Sequence, residues 1–154
     1  MFHIVLVEPE IPQNTGNISR TCSVTGSALH LVEPLGFSID DSHVKRAGLD
    51  YWDTLNLSVH DSFEDVWSNA AKGARFFFAT TKAKQAYSDE LFKDGDYIVF
   101  GRETAGLGSK FLAKWREGHI RIPMLPQKRS LNLSNSVAIV LYEALRQNGF
   151  CELN

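Results

Sequence analysis

The chain has 154 residues, 44% of them hydrophobic and 22% charged, which suits one compact domain spanning residues 1–154 and is too apolar for a disordered chain. Sixteen Lys and Arg against eighteen Asp and Glu leave a net charge of -2, so a protein that grips nucleic acid by bulk charge is excluded and any RNA contact must be local. Cys22 and Cys151 stand far apart and outside C-x-x-C spacing, so neither a disulfide framework nor a thiolate metal site is expected.

The chain starts with MFHIVLVEPEIPQ, an apolar run with no basic flank before it and an acid directly after, which fits neither a signal nor a transit peptide. A cytoplasmic protein without a membrane span is expected. Ile4 to Val7 reads as the first strand, and a helix follows over Asn14 to Thr25, stopped by Gly26. Ala28 to Val32 is the second strand candidate, and a short helix is expected over Asp41 to Ala47, ending at Gly48. Leu55 to Val59 is the third strand, and Ser62 with Asp65 forms a capping box for a helix over Ser62 to Ala71. Arg75 to Ala79, Tyr97 to Phe100 and Ile120 to Ile122 complete the strand candidates. The last helix is expected over about Ser134 to Asn148, with Gly149 as a left-handed cap.

Several of these strands are continuously apolar, as parallel strands covered on both faces should be, and their alternation with helices predicts an α/β fold with a mostly parallel sheet. Within the last helix, Val137 to Tyr142 is apolar on nearly every side and needs cover all round. A homodimer would supply it, and so would a central position within one chain. Three basic clusters, Lys45-Arg46, Lys82 with Lys84 and Lys128-Arg129, are ordinary solvated surface if taken singly. They become an RNA surface only if the fold or a dimer brings them together.

Three segments carry chemistry. Pro12 to Arg20 opens the first helix with Asn14, Gly16 and Asn17 at its mouth and Arg20 about one turn inside, a place to hold phosphate or ribose; a capped helix with a surface Arg is the plainer reading. Ile98 to Gly108 runs from a buried strand into a loop with Gly101, Gly106 and Gly108, where backbone can approach a ligand closely. It lacks both G-x-G-x-x-G and the Lys of a P-loop, so a nucleoside held by backbone fits better than a dinucleotide. Ile120 to Met124 is followed by SLNLSNS, a run of hydroxyls and amides at the mouth of the last helix that exceeds what capping alone needs.

Together NTGNISR, FGRETAGL and IPM with SLNLSNS resemble, in order and spacing, the three motifs of the SPOUT methyltransferases, most nearly the bacterial enzymes that methylate the 2'-oxygen of the wobble nucleotide of tRNA. EPEIPQNTGNISR, AGLDYW and SLNLSNSVAIVLYEALRQ extend the resemblance over nearly the whole length. The resemblance implies a sheet flanked by helices with a C-terminal trefoil knot, S-adenosylmethionine bent in that knot, a homodimer, and a tRNA anticodon stem-loop as partner. Pattern alone would have predicted an open, unknotted sheet.

By motif, the resemblance assigns cofactor binding to Ala79, Gly101, Glu103, Ile122, Ser130 and Leu131, mostly through backbone. It assigns catalysis to Arg20, with Asn14, Glu103, Asn132 and Ser134 arranging the pocket and Tyr142 near the subunit contact and the active site. Arg102 stands where similar chains often have Pro, and Ala105 where they have Arg. No metal is implied, and the five His lack ligand spacing. Three other readings remain open: an enzyme of the same kind acting on ribosomal RNA, a noncatalytic RNA-binding protein of the same fold, and a nucleotide-dependent oxidoreductase lacking its glycine fingerprint.

Overall fold

The computed structural model describes residues 1–39, 54–151 and 153. A six-stranded, all-parallel sheet in the order β3-β2-β1-β5-β4-β6 forms its centre, from β1 (His3–Val7), β2 (Ala28–Val32), β3 (Leu57–His60), β4 (Phe76–Ala79), β5 (Tyr97–Phe100) and β6 (His119–Ile120). The strands that read as unbroken apolar runs are the buried ones: every residue of β5 is inside, as is all of β1 after His3. The expected α/β class with a parallel sheet is what the chain adopts.

Alternate side chains feed two cores. On one face Ile4, Leu6, Leu29, Leu31, Ile98 and Phe100 pack under α1 (Pro12–Thr25) and α4 (Leu133–Gln147). On the other, Val5, Val7, Val32, Phe76, Phe78 and Val99 pack under α2 (Phe63–Asn69) and α3 (Ser109–Lys114). Burying one such aliphatic side chain is worth ~1.5–3 kcal/mol, and β1, β2, β4 and β5 each contribute to both layers.

On the α2 face, a line of rings crosses five strands. His60 of β3, His30 of β2 and His3 of β1 are joined by ring nitrogens 3.0 Å apart at each step, and His3 stacks on Tyr97 of β5, which stacks on Phe76 of β4. Burial, and then the neighbouring His3 and His60, push the pKa of His30 down to about 4; burial likewise lowers His3 and His60. A neutral imidazole can donate at one nitrogen and accept at the other, so the row is satisfied without charge.

Helix ends follow the expected chemistry. Gly26 closes α1 in the left-handed conformation at φ 64°, and Ser62 and Asp65 form the reciprocal capping box of α2. Three details differ from the sequence reading. β3 starts two residues later than expected, and β6 is only two residues long because Arg121 leaves the sheet to pair with Gln85 and Tyr87. The short helix α3 was not expected; only Leu112 of it is fully buried, too little to produce a periodic pattern. The expected helix over Asp41 to Ala47, the Lys45-Arg46 cluster and AGLDYW lie outside the described residues.

The last helix is amphipathic rather than covered all round by its own chain. Val137, Val140, Leu141, Ala144 and Leu145 are inside, whereas Ile139 and Tyr142 remain 37% and 46% exposed. Neighbouring α1, which packs against it, shows Val24 at 46%. No helix among the described residues is long and apolar enough to cross a membrane.

Candidate active site

The strongest local feature is a cleft of about 700 Å3 at the carboxyl ends of β4 and β5. Its lining draws on every segment singled out in the sequence: Asn14 from α1, Ala79 after β4, Gly101 and Glu103 after β5, then Ile122, Ser130, Leu131 and Asn132 before α4. A volume of this order suits a nucleoside-sized ligand.

A chain of hydrogen bonds ties the segments together. Asn132 is the N-cap of α4: its Oδ1 accepts from the Ser134 and Asn135 amides at 2.9 and 3.3 Å and from Ser134 Oγ at 2.6 Å. Its Nδ2 then donates to Asn14 Oδ1 at 3.0 Å, across 118 residues of sequence. Asn14 Nδ2 in turn donates to Glu103 Oε1 at 3.2 Å. Both ends of the Asn14 amide are therefore committed, which fixes its orientation.

Glu103 explains how α1 is held. This helix begins at Pro12, has no side-chain cap and no acid in its first turn. The carboxylate of Glu103 fills that gap from the loop after β5, accepting the backbone amides of Glu10 at 2.8 Å and Ile11 at 3.1 Å. An anion there also opposes the positive end of the helix dipole. The clasp is reciprocal, because Glu10 accepts from the Thr104 amide at 3.1 Å and from its hydroxyl at 2.8 Å.

The loop after β5 folds back on itself, with the Gly106 amide donating to the Arg102 carbonyl at 2.9 Å. A Cβ on Gly101 would collide with the backbone of Gly106 and Leu107, so only glycine lets this hairpin close. Gly106 itself has φ 61°, in the region that glycine tolerates best. The wall of the cleft is thus built in advance of any ligand.

Eight expected site residues converge here, and three do not line the cleft. Ser134 lies behind Asn132 and orients it. Arg20 sits on the exposed side of α1, six residues from Asn14, which in a 3.6-residue helix places it on another face. Tyr142 is likewise on the exposed side of α4. Glu103 lines the cleft, but its carboxylate oxygens serve α1.

Among the other lining residues, Thr80 and Thr81 carried no signal in the sequence, whereas Met124 and Ser136 end the two stretches singled out there without being named as site residues. Lys82 and Arg129, from two of the basic clusters, both reach this cleft. Leu131, 40% exposed, presents an apolar surface inside it. No group of acids, His or Cys suited to a metal occurs among the described residues.

A parallel α/β sheet whose strand ends enclose a nucleoside-sized, backbone-walled cleft is the arrangement of the SPOUT-type methyltransferase structures that this chain matches. The chain belongs to the SpoU rRNA methylase family, whose profile matches residues 1–142. It is 52% identical over 151 residues to the tRNA (cytidine(34)-2'-O)-methyltransferase of Methylovorus glucosotrophus, covering 97% of each chain. A solved structure described as giving structural insights into the 2-OH methylation of C/U34 on tRNA superposes with a TM-score of 0.92 at 44% identity, covering 97% of each. The AdoMet-bound rRNA methyltransferase of Sinorhizobium meliloti shares the fold at 24% identity and a TM-score of 0.83; 94% of this chain matches 56% of that one.

Proposed function

We propose that the protein is a cytoplasmic, S-adenosylmethionine-dependent methyltransferase that modifies the ribose 2'-oxygen of the wobble nucleotide of tRNA, one domain over residues 1–154. The observation that carries the reading is the meeting of three distant segments at one cleft through the Glu103, Asn14, Asn132 and Ser134 bonds. The wobble nucleotide as target rests on likeness over nearly the full length of both chains to a relative named for that reaction. An enzyme for ribosomal RNA is favoured less, since a second full-length relative, 49% identical, is also named for the tRNA reaction.

The cleft fits the cofactor chemically. The backbone of Ala79, Gly101, Ile122, Ser130 and Leu131 would hold the adenosyl part, Leu131 offering its apolar surface to the base. Threading of the segment between β6 and α4 as the family's trefoil knot accords with its course from the sheet edge back to Asn14. When bound, S-adenosylmethionine supplies an electrophilic methyl carbon on a sulfonium. The residues of the cleft would hold the ribose 2'-hydroxyl facing that carbon, and the proton of the hydroxyl would leave to water or phosphate. Holding the two in line is the main task, and orientation of this kind can contribute ~7–11 kcal/mol.

Arg20 is assigned the ribose and an adjacent phosphate. Guanidinium groups stay charged near neutrality, which suits a planar fork for phosphate better than a base. Because Arg20 and Tyr142 face outward with Val24 and Ile139, a homodimer through α1 and α4 would cover these apolar side chains and carry Arg20 to a cleft.

The decisive experiment supplies the purified protein with methyl-labelled cofactor and with tRNA and ribosomal RNA from a strain lacking the corresponding gene, then maps the label. It is expected on the ribose of nucleotide 34; labelled ribosomal RNA with unlabelled tRNA would overturn the assignment. Arg20→Lys is expected to lower kcat by at least about a hundredfold at every pH, leaving S-adenosylhomocysteine affinity in calorimetry unchanged. Near-normal turnover by that variant would show that planar recognition is not needed.

A further inference from the structure

A second cavity, of about 390 Å3, opens at the carboxyl ends of β1 and β5. Val7 and Glu8 form one side, and Arg102 with residues 106–111 the other. The sheet changes winding direction between these two strands, with β2 and β3 on one flank and β4 and β6 on the other. Open parallel sheets take ligands at such switch points. Arg102, Gly106 and Leu107 line both this cavity and the larger cleft, so the hairpin after β5 is their common wall.

The chemistry of the second cavity is mixed in a specific way. Leu107 and Phe111 make an apolar side, and Phe111 is braced edge-on by Phe63 and Phe78 at 5.0 and 5.9 Å between centroids. The polar side carries Lys110 and Arg102, whose Nη2 pairs with Glu8 Oε2 at 2.6 Å. Glu8 holds its place with φ 51°, a backbone conformation rare outside glycine. This pair is open to water on both partners, 47% and 29% exposed, and ion pairs in that setting are easily exchanged. An arginine fork binds phosphate as well as it binds carboxylate.

We infer that this cavity is an RNA subsite for the nucleotide next to the methylated one. Its base lies against Leu107 and Phe111, and its phosphate displaces Glu8 from Arg102 with Lys110 alongside. The inference rests on the RNA 2'-O-methyltransferase reading above and adds to it where the RNA outside the reacting ribose is held. A flat apolar base with a phosphate at its edge matches a cavity with an aromatic wall and two cations on the rim. The shared hairpin fixes the distance between this nucleotide and the cofactor cleft.

The test uses steady-state methyl transfer to synthetic anticodon stem-loops with cytidine at the wobble position, intact or abasic at either neighbouring nucleotide. For the intact protein, one abasic neighbour is expected to raise KM by roughly tenfold with kcat little changed. Lys110→Ala and Arg102→Gln are each expected to raise KM for the intact loop by several-fold. In Lys110→Ala the abasic penalty shrinks, and the dependence of KM on salt becomes shallower. Lys110 lies outside the cofactor cleft, so its variant retains S-adenosylhomocysteine affinity. Unchanged KM in Lys110→Glu, or the same abasic penalty in wild type and variants, overturns the subsite while leaving the methyltransferase reading intact. Failure of the unaltered protein to methylate any stem-loop brings down both.

Discussion

Glu103 shows how much of a site one side chain can hold together. Its two oxygens accept three N–H groups at the entrance of α1, which has no acid of its own there. Glu103→Gln replaces one acceptor by a donor that faces other donors, and bonds to charged groups are worth about 1.5–3 kcal/mol. A loss of stability of that size in urea unfolding is expected, with weaker cofactor binding as α1 loosens. Stability equal to wild type would mean that the clasp is ornamental. Thr15 is the opposite case: its Oγ is the one buried side-chain polar atom among the described residues that lacks a hydrogen-bond partner. Thr15→Val keeps the shape and removes that unmet donor, so thermal unfolding should show a gain of about 1 kcal/mol. None of this could be read ahead, because an acid that serves backbone amides 92 and 93 residues away leaves no local pattern.

At the scale of elements, the sequence was legible where burial acts on whole segments. Apolar runs, unbroken in β5 and Ile4 to Val7 of β1 and interrupted only by His30 in β2, marked these strands, and Gly26 and the Ser62–Asp65 pair marked helix ends, because the physics there involves near neighbours only. Helix α3 stayed hidden since it buries mainly Leu112 and follows glycines that read as loop. Arg20 was placed beside Asn14 in sequence, yet helical phase sends one inward and the other outward. Asn132 combines two roles that the sequence left as alternatives, capping α4 and joining the cleft. Asn132→Ala should therefore cost about 1 kcal/mol as a lost cap and also weaken cofactor binding. Asn132→Asp, which keeps the capping oxygen and loses the donor to Asn14, separates the two effects if stability holds while calorimetric affinity falls. Gly101→Ala is expected to abolish cofactor binding outright, since the hairpin cannot close over a methyl group.

Over the whole molecule, the row of His60, His30 and His3 gives the sheet a pH limit. His30 has its pKa lowered to about 4 in the folded state, chiefly by burial, against about 6.5 when unfolded. Above pH 6.5 neither state carries the charge and nothing changes. Below it the unfolded chain takes up a proton that the folded chain refuses, so stability falls as pH drops from about 6.5 towards 4. His3 and His60, also lowered, act in the same direction, with Asp65 opposing the shift at His60. Urea unfolding at pH 7.5 and 5 should show a smaller decrement for His30→Phe than for wild type; equal decrements would place the acid sensitivity elsewhere. The ring row was invisible in the sequence because it depends on strand order, which sets His3, His30 and His60 on adjacent strands.

The cleft borrows its walls from Ile11 at one extreme and Ser136 at the other. A nascent polypeptide emerging from the ribosome cannot possess a half-made version of it: until the stretch around Asn132 has cleared the exit tunnel, α1 lacks its amide neighbour and the methyl donor has no seat. Acquisition of ligand by this protein is accordingly a late event in its synthesis, and a chain halted before α4 would leave the ribosome blind to the cofactor however well its first strands had paired.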